Sequence, residues 1–390
     1  MKVVIAPQGF KGSLSALQVA RAIGRGVEKA IPDAENIIVP MADGGEGTIQ
    51  AIVNAVGGEI VSVDVTDPTG SRITAGWALL SDGITAVIEM ASASGLELVP
   101  EGRRDPLITS TYGTGELIID ALDNGCRKFI IGVGGSATND GGAGMAQALG
   151  INLIDKRGES LAPGGAALIE LEKIDTAGMD PRLAECDIIL ASDVTNPLCG
   201  PDGASFTYGP QKGATPEMTA ELDRALEHYA AVIKGKLGID VKNKPGAGAA
   251  GGLGAGMMAF INARMVPGID IVIEATDLAG KMEGASLVFT GEGRIDAQTS
   301  YGKTAVGVAR KAGQFGLPAI AIVGEIGSGY PAVYQEGIDA IFSIAPGPIS
   351  YGRCVQMAER LISDVAERAT RLFVSGWKQG YHESESDKSA

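Results

Sequence analysis

Both ends of the chain alternate short, wholly apolar runs with stretches whose apolar residues recur at helical spacing, the rhythm of parallel strands joined by helices. Val3–Ala6 reads as a buried strand. A helix over about Ser15–Ala30 follows, gathering Leu17, Ala20, Ile23 and Val27 on one face, and Ser15 with Gln18 three residues on predicts a capping box. Ile37–Met41 predicts a second strand and Thr48–Val56 a second helix. After about Gly284 the same alternation returns: strands at Leu287–Thr290, Ala319–Val323 and Ala340–Ile344, and helices at Lys303–Ala312, near Tyr330 and at Arg353–Phe373. Between these ends the period shortens to two. EIVSVDVTDPTGSRITAGWALLSDGITAVIEM alternates apolar and polar residues between Asp-Pro, Thr-Gly and Asp-Gly turns, which predicts antiparallel strands in a different domain. A helix over Glu116–Asn124 stopped by Gly125, a strand at Asp187–Ala191, and a helix over Pro216–Lys234 with Thr215 as N-cap complete that middle part.

The pattern predicts an α/β protein of two domains. Residues 1–60 and 285–374 build a discontinuous, doubly wound Rossmann-like domain on a parallel sheet, residues 61–284 an inserted α/β domain with a mixed, flavodoxin-like sheet, and residues 375–390 a disordered tail. A length of 390 residues agrees, because one core normally stops growing below that size. A formal charge of −15 argues against a general nucleic-acid binder and against binding to anionic membranes, so an anionic substrate must meet local positive charge or metal. The four cysteines, Cys126, Cys186, Cys199 and Cys354, form no C-x-x-C pair, which fits a reducing cytoplasm. The apolar run of MKVVIAPQGF is too short for a signal peptide, and no later stretch approaches a membrane span.

Glycine-rich loops follow several of the strands. GVGGSATNDGGAG, Gly132–Gly144, follows Phe129–Ile131; ADGGEG, Ala42–Gly47, follows the second strand; TGEGRID, Thr290–Asp296, closes another. Without Cβ atoms such loops bring backbone N–H groups close to a ligand, and a helix N-terminus adds partial positive charge, so together they suit phosphate. Their shared placement at strand ends predicts one site in the cleft between the domains. Within these loops Gly134, Gly135, Ser136, Asn139 and Asp140 are candidate ligand contacts. Lys11 and Lys212 each precede a capped helix, where an ammonium adds to free N–H groups; a solvated lysine is the alternative. Asp193 with Asn196 suits a magnesium ion or a substrate hydroxyl, against an ordinary turn before Pro197. Glu292, Arg294 and Asp296 alternate with glycine and suit either a shared ligand or an internal ion pair. Asp43 and Glu46 suit a metal or the dipole of the helix that follows.

Other patterns fail in informative ways. GAGAAG, Gly246–Gly251, follows Lys242-Asn243-Lys244-Pro245 and not a buried strand, so it makes a weak dinucleotide loop. Gly132-x-Gly134-x-x-Ala137 does follow a strand, with Asp155 placed as a ribose contact would be, but TNDGGAG intrudes where the helix should begin. A Walker A loop fails at Gly302-Lys303-Thr304 because Ala297 holds the position of its first glycine. With only His228 and His382 in the chain, the sequence argues against a Ser-His-Asp triad or a His-rich metal site and in favour of carboxylates and lysines for proton transfer.

FKGSLSA, MADGGEGT, GVGGSATNDGGAGMAQALG, DVTNPL, GPQKGA, PGAGAAGGLGAG and TGEGRID, in this order from Val3 to about Phe373, resemble the bacterial type I glycerate kinases. The resemblance implies two α/β domains around a cleft and transfer of the ATP γ-phosphate to D-glycerate with magnesium (Mg2+), usually at the 2-hydroxyl; a glycerate 3-kinase is the alternative. On this basis Asp193 orients or deprotonates the hydroxyl, Lys11 and Arg294 clamp carboxylate or phosphate, and Asp43, Glu292 and Asp296 compete for the metal. Ser136, Asn139, Asp140, Asn196 and Lys212, with Gly134 and Gly135, would contact nucleotide or glycerate, and a homo-oligomer stays open. Two positions depart from the family: Gln8 stands where relatives often carry Asp, and Ser192 where some carry Cys. An NAD-dependent hydroxy-acid dehydrogenase, resting on Gly132, Gly134 and Asp155, and a non-catalytic binding protein are the rival readings.

Overall fold

The computed structural model describes residues 1–42, 49, 52–53, 56–301 and 303–386; the ADGGEG loop beyond Ala42, with Asp43 and Glu46, and most of the expected Thr48–Val56 helix lie outside them. The chain divides into two compact units, Met1–Ala42 with Val272–Ala390, and Asp43–Ile271.

The first unit is built on β1 (Lys2–Ile5), β2 (Glu35–Ile38), β11 (Leu287–Thr290), β13 (Ala319–Val323) and β15 (Ala340–Ser343). They form a sheet in the order β15-β13-β11-β1-β2, every pair parallel. Such strands are covered on both faces, which is why they read as unbroken apolar runs: Val3, Ile5, Leu287, Phe289 and Ile322 all enter one core. The helix Ala16–Ala30 is opened by the Ser15–Gln18 capping box and sends Val19, Ile23 and Val27 into that core, each such burial stabilising by roughly 1.5–3 kcal/mol. Gly26 lets this helix approach the helix Ala358–Ser386, since a Cβ there would lie 2.3 Å from the Ser363 carbonyl oxygen. The C-terminal segment departs from expectation twice. Met357 separates a short helix, Tyr351–Gln356, from the long one, and the long helix continues to Ser386 past the residue 375 at which an unstructured tail is expected. Lys, Gln and Glu in this stretch are good helix formers, which favours its continuation as helix.

The second unit contains β3 (Gly58–Thr66), β4 (Arg72–Leu80), β5 (Thr85–Glu89), β6 (Lys128–Gly132), β9 (Asp187–Ala191) and β10 (Arg264–Val266), in the order β10-β9-β6-β5-β4-β3. The expected antiparallel strands are β3, β4 and β5, but β5 also pairs in parallel with β6, and β6, β9 and β10 continue in parallel, giving a mixed sheet. Trp77, Ile88, Phe129, Ile131 and Leu190 fill its core, and the Trp77 indole N–H donates to Asp120 Oδ2 at 2.7 Å. β7 (Asn152–Asp155) and β8 (Leu171–Asp175) form a separate antiparallel ribbon. Among the described residues no helix is long and apolar enough to cross a membrane.

Candidate active site

In open parallel sheets the carboxyl edge of the strands, at the point where the chain turns to opposite sides, is where ligands bind. In the first unit that point lies between β1, whose connection runs to β2, and β11, whose successors run the other way. The residues that leave it are Ala6–Lys11 and Gly291–Asp296. These segments touch: the Gln8 amide donates to the Gly291 carbonyl at 2.8 Å, and a Cβ on Gly293 would sit 3.7 Å from Lys11 N and Phe10 Cα. Lys11 is exposed. Glu292 is buried directly after β11. Arg294 begins a two-residue strand, β12 (Arg294–Ile295), that pairs in parallel with β14 (Glu325–Ile326) in the register Arg294 to Glu325. Its side chain, 55% exposed, reaches Asp296 Oδ2 at 3.3 Å and Glu325 Oε1 at 3.5 Å. Asp296 also accepts the Gln298 amide at 2.9 Å, so its carboxylate is committed to an internal ion pair and a turn, which weighs against the metal role expected of it. Glu325 was not singled out from the sequence; its place as the register partner of Arg294 appears only in the folded ribbon.

In the second unit Glu89, Gly132 and Ala191 are register neighbours at the ends of β5, β6 and β9, and Val266 ends β10 beside Ala191. Glu89, which receives the Ile49 amide at 2.9 Å, is a carboxylate on this edge that sequence reasoning passed over, although an acid closing the apolar run TAVIE was a signal. Two residues beyond β9, Asp193 is exposed, and its Oδ1 accepts the Gly268 amide at 3.1 Å. Asn196 is used differently from expectation. Its Nδ2 donates to the Asp202 carbonyl at 2.7 Å and its Oδ1 accepts the Tyr208 hydroxyl at 2.8 Å, so its carboxamide holds the following loop.

The glycine-rich loop after β6 does lead into a helix, Ala143–Ala148, yet the free N–H groups there already have an anion. Asp140, 0% exposed, accepts the amides of Gly142 at 3.1 Å and Gly144 at 3.2 Å, and both the amide and the hydroxyl of Thr111 at 2.8 Å. Burial pushes this carboxyl above its usual range, against those donors, which pull it down. Asn139, equally buried, donates to Ser205 Oγ at 2.9 Å. Asp140 and Asn139 therefore serve the interior and not a ligand-facing surface. Gly134 and Gly135 are exposed, with Gly135 at φ +72°, and Ser136 next to them is 6% exposed. Lys212 is 1% exposed, and its Nζ donates to Ser136 Oγ and to the Thr138 carbonyl, both at 2.7 Å. Burial lowers its pKa to about 7, with the Asp140 charge opposing the shift.

GAGAAG is a packing device. Ala250, Gly251 and Gly252 take positive φ, Gly251 O accepts the Gly141 amide at 3.0 Å, and a Cβ on Gly251 would lie 2.0 Å from the Thr138 carbonyl oxygen. Two glycine-rich backbones thus mesh directly. The dinucleotide alternative fails as well: Asp155 ends β7 outside the parallel sheet and is occupied by the amides of Arg157 and Glu159 and by Arg157 Nε at 2.8, 3.0 and 2.9 Å. His228, on the helix Pro216–Leu237, bonds the Leu171 carbonyl at 2.8 Å and has a structural role. Among the described residues no group of three His, Cys, Asp or Glu side chains could hold a metal unaided.

A parallel and a mixed sheet with helices, whose strand ends carry lysine, arginine, carboxylates and glycine loops, make this an α/β protein with the architecture of an enzyme. A sequence profile of the Glycerate kinase family matches residues 3–374. The chain is 51% identical to the glycerate kinase of Halalkalibacterium halodurans (strain C-125) over 377 residues, 97% of this chain and 99% of that protein. It is 53% identical to the glycerate 2-kinase of Escherichia coli (strain K12) over 344 residues, 88% of this chain and 90% of that protein. A crystal structure described as that of a "putative glycerate kinase 2" from Salmonella typhimurium LT2 superposes with a TM-score of 0.89 at 48% identity, covering 97% of this chain and 99% of that one. The chain belongs to the glycerate kinase family.

Proposed function

We propose that this protein transfers the γ-phosphoryl group of ATP to the 2-hydroxyl of D-glycerate, forming 2-phosphoglycerate and ADP. The hydroxyl oxygen bonds to the γ-phosphorus, the bond from that phosphorus to the β,γ-bridging oxygen breaks, and the hydroxyl proton passes to Asp193. The observation that carries this reading is Asp193 itself, an exposed carboxylate at the carboxyl end of β9 whose Oδ1 is oriented by the Gly268 amide. Phosphoryl transfer asks a protein chiefly for positioning and charge neutralisation. In the first unit Lys11 and Arg294 offer positive charge suited to a carboxylate or phosphate, and in the second unit Gly134, Gly135 and Ser136 offer donors suited to an anion. The 53% identity to a protein named glycerate 2-kinase supports the 2-position.

Magnesium is bound in enzymes of this chemistry by one or two carboxylates together with substrate phosphates, and it neutralises charge developing on them. A carboxylate at a strand end together with substrate phosphates would make such a shared site. Glu292 is the acid at the end of β11 suited to it, Asp43 lies outside the described residues, and Asp296 is held by Arg294. Incubation with ATP, magnesium and D-glycerate, with the product identified by phosphorus NMR, tests the proposal. 2-Phosphoglycerate is expected; 3-phosphoglycerate would refute the regiochemistry, and ATP hydrolysis indifferent to glycerate would refute the activity.

A further inference from the structure

Lys212 is a charged side chain buried in the second unit, at 1% exposure. Removing an ammonium from water costs several kcal/mol unless it is paired and hydrogen-bonded. An apolar residue would fill the same space without that cost. The chain nevertheless goes to some trouble to place it. Lys212 ends the one-turn segment Pro210–Lys212, and the following Gly213, at φ +94°, passes so close to Arg104 that a Cβ would lie 2.4 Å from the Arg104 carbonyl oxygen. The side chain then reaches a loop 76 residues away in sequence and makes two bonds of 2.7 Å there, to Ser136 Oγ and to the Thr138 carbonyl.

Those two bonds have different consequences. The bond to Thr138 O fixes the loop backbone. The bond to Ser136 Oγ fills an acceptor position on that hydroxyl, and an ammonium has no lone pair to receive a proton in return. The Ser136 hydroxyl must then direct its own proton elsewhere, and the charge behind it makes that proton a better donor. Ser136 is the loop's buried hydroxyl immediately after exposed Gly134 and Gly135, and its strand-like bridge to Gly95 together with the bond from Leu96 N to Gly135 O at 2.8 Å keeps this stretch in place.

We propose that Lys212 is a positioning residue for the phosphoryl-transfer reaction: it acts through Ser136, orienting that hydroxyl as a charge-assisted donor to the substrate anion held at Gly134–Ser136. The inference rests on the reading of that loop as an anion-binding wall. The titratable groups facing Lys212 are Asp140, and behind it Tyr229, whose charged form is disfavoured by burial and by Asp140. The relay works with the ammonium and not with the neutral amine. Since burial brings the lysine to about 7 in the free protein, and a bound anion raises it again, KM for the anion should climb as pH rises above neutrality while kcat holds to higher pH.

The test compares Lys212→Met, Ser136→Ala and the double variant with wild type, with folding checked by circular dichroism. Each single variant is expected to lose roughly 100-fold in kcat/KM, the scale for removing one preorganised donor. The double variant should lose no more than Lys212→Met alone, because that change already silences the Ser136 hydroxyl besides releasing the Thr138 carbonyl. Losses that multiply in the double variant would overturn the relay while leaving the loop reading intact. A Ser136→Ala enzyme with wild-type kinetics would overturn the loop reading and the relay with it. The wild-type pH profile keeps the proposal exposed even if Lys212→Met does not fold: a KM constant between pH 6.5 and 9 would refute it.

Discussion

The loop after β6 and the loop after β11 look alike in sequence, both glycine-rich with acids and both following a buried parallel strand, and the fold uses them in opposite ways. GVGGSATNDGGAG turns its acid inward: Asp140 is buried among four donors, and the cation that joins it, Lys212, is buried too. TGEGRID keeps its cation outside, with Arg294 in half-exposed ion pairs beside exposed Lys11. Glycine therefore means two things in one chain. At Gly251 and Gly252 it removes side chains so that backbones mesh, and at Gly134, Gly135 and Gly293 it leaves room beside a sheet edge. The first loop is bonded into the interior and the second carries its charge at the surface.

Substitutions should separate the two uses. Gly251→Ala places a methyl 2.0 Å from the Thr138 carbonyl oxygen at a φ of +67°, and is expected to cost roughly 3 kcal/mol or more in urea unfolding. Gly293→Ala meets nothing nearer than 3.7 Å and should stay within about 1 kcal/mol of wild type. Equal losses would erase the distinction. Arg294→Ala should leave stability within about 0.5 kcal/mol, since its ion pairs are exposed, while raising KM for one substrate by roughly tenfold to a hundredfold, the worth of a charged hydrogen bond. An unchanged KM would make Arg294 a ribbon clasp only.

A further prediction concerns pH. The ordinary lysine pKa of 10.5 falls to about 7 at Lys212 in the fold. Between those values the unfolded chain binds more protons than the native one, so stability from this group rises with pH across that window, by at most about 1.4 kcal/mol per unit; below it the penalty is constant. Relative to Lys212→Met, wild type should gain stability between pH 7 and 10 in urea titrations. A parallel pair of curves would show that the lysine is not protonated differently in the two states.

How far the sequence could be read follows from the range of each interaction. The Ser15–Gln18 box, the Thr215 cap with Pro216, and the apolar runs of β1, β6, β9, β11 and β13 are local and were legible. What was not legible depends on partners far along the chain. Asp140 meets Thr111 across 29 residues and Lys212 meets Ser136 across 76, so an acid and a lysine that resembled ligand contacts proved to be internal. Asp155 likewise looked like a ribose contact until β7 paired with β8 outside the parallel sheet. A polar residue beside glycine signals that backbone comes close to something; only the fold says whether that something is another segment of the same chain.

The most direct test of the account is the turnover of Asp193→Asn with saturating ATP and D-glycerate. The account predicts a fall in kcat of roughly 1000-fold, within the range for loss of a general base, with the fold and the KM values little changed. Turnover within a few-fold of wild type would contradict it and remove Asp193 from the chemistry.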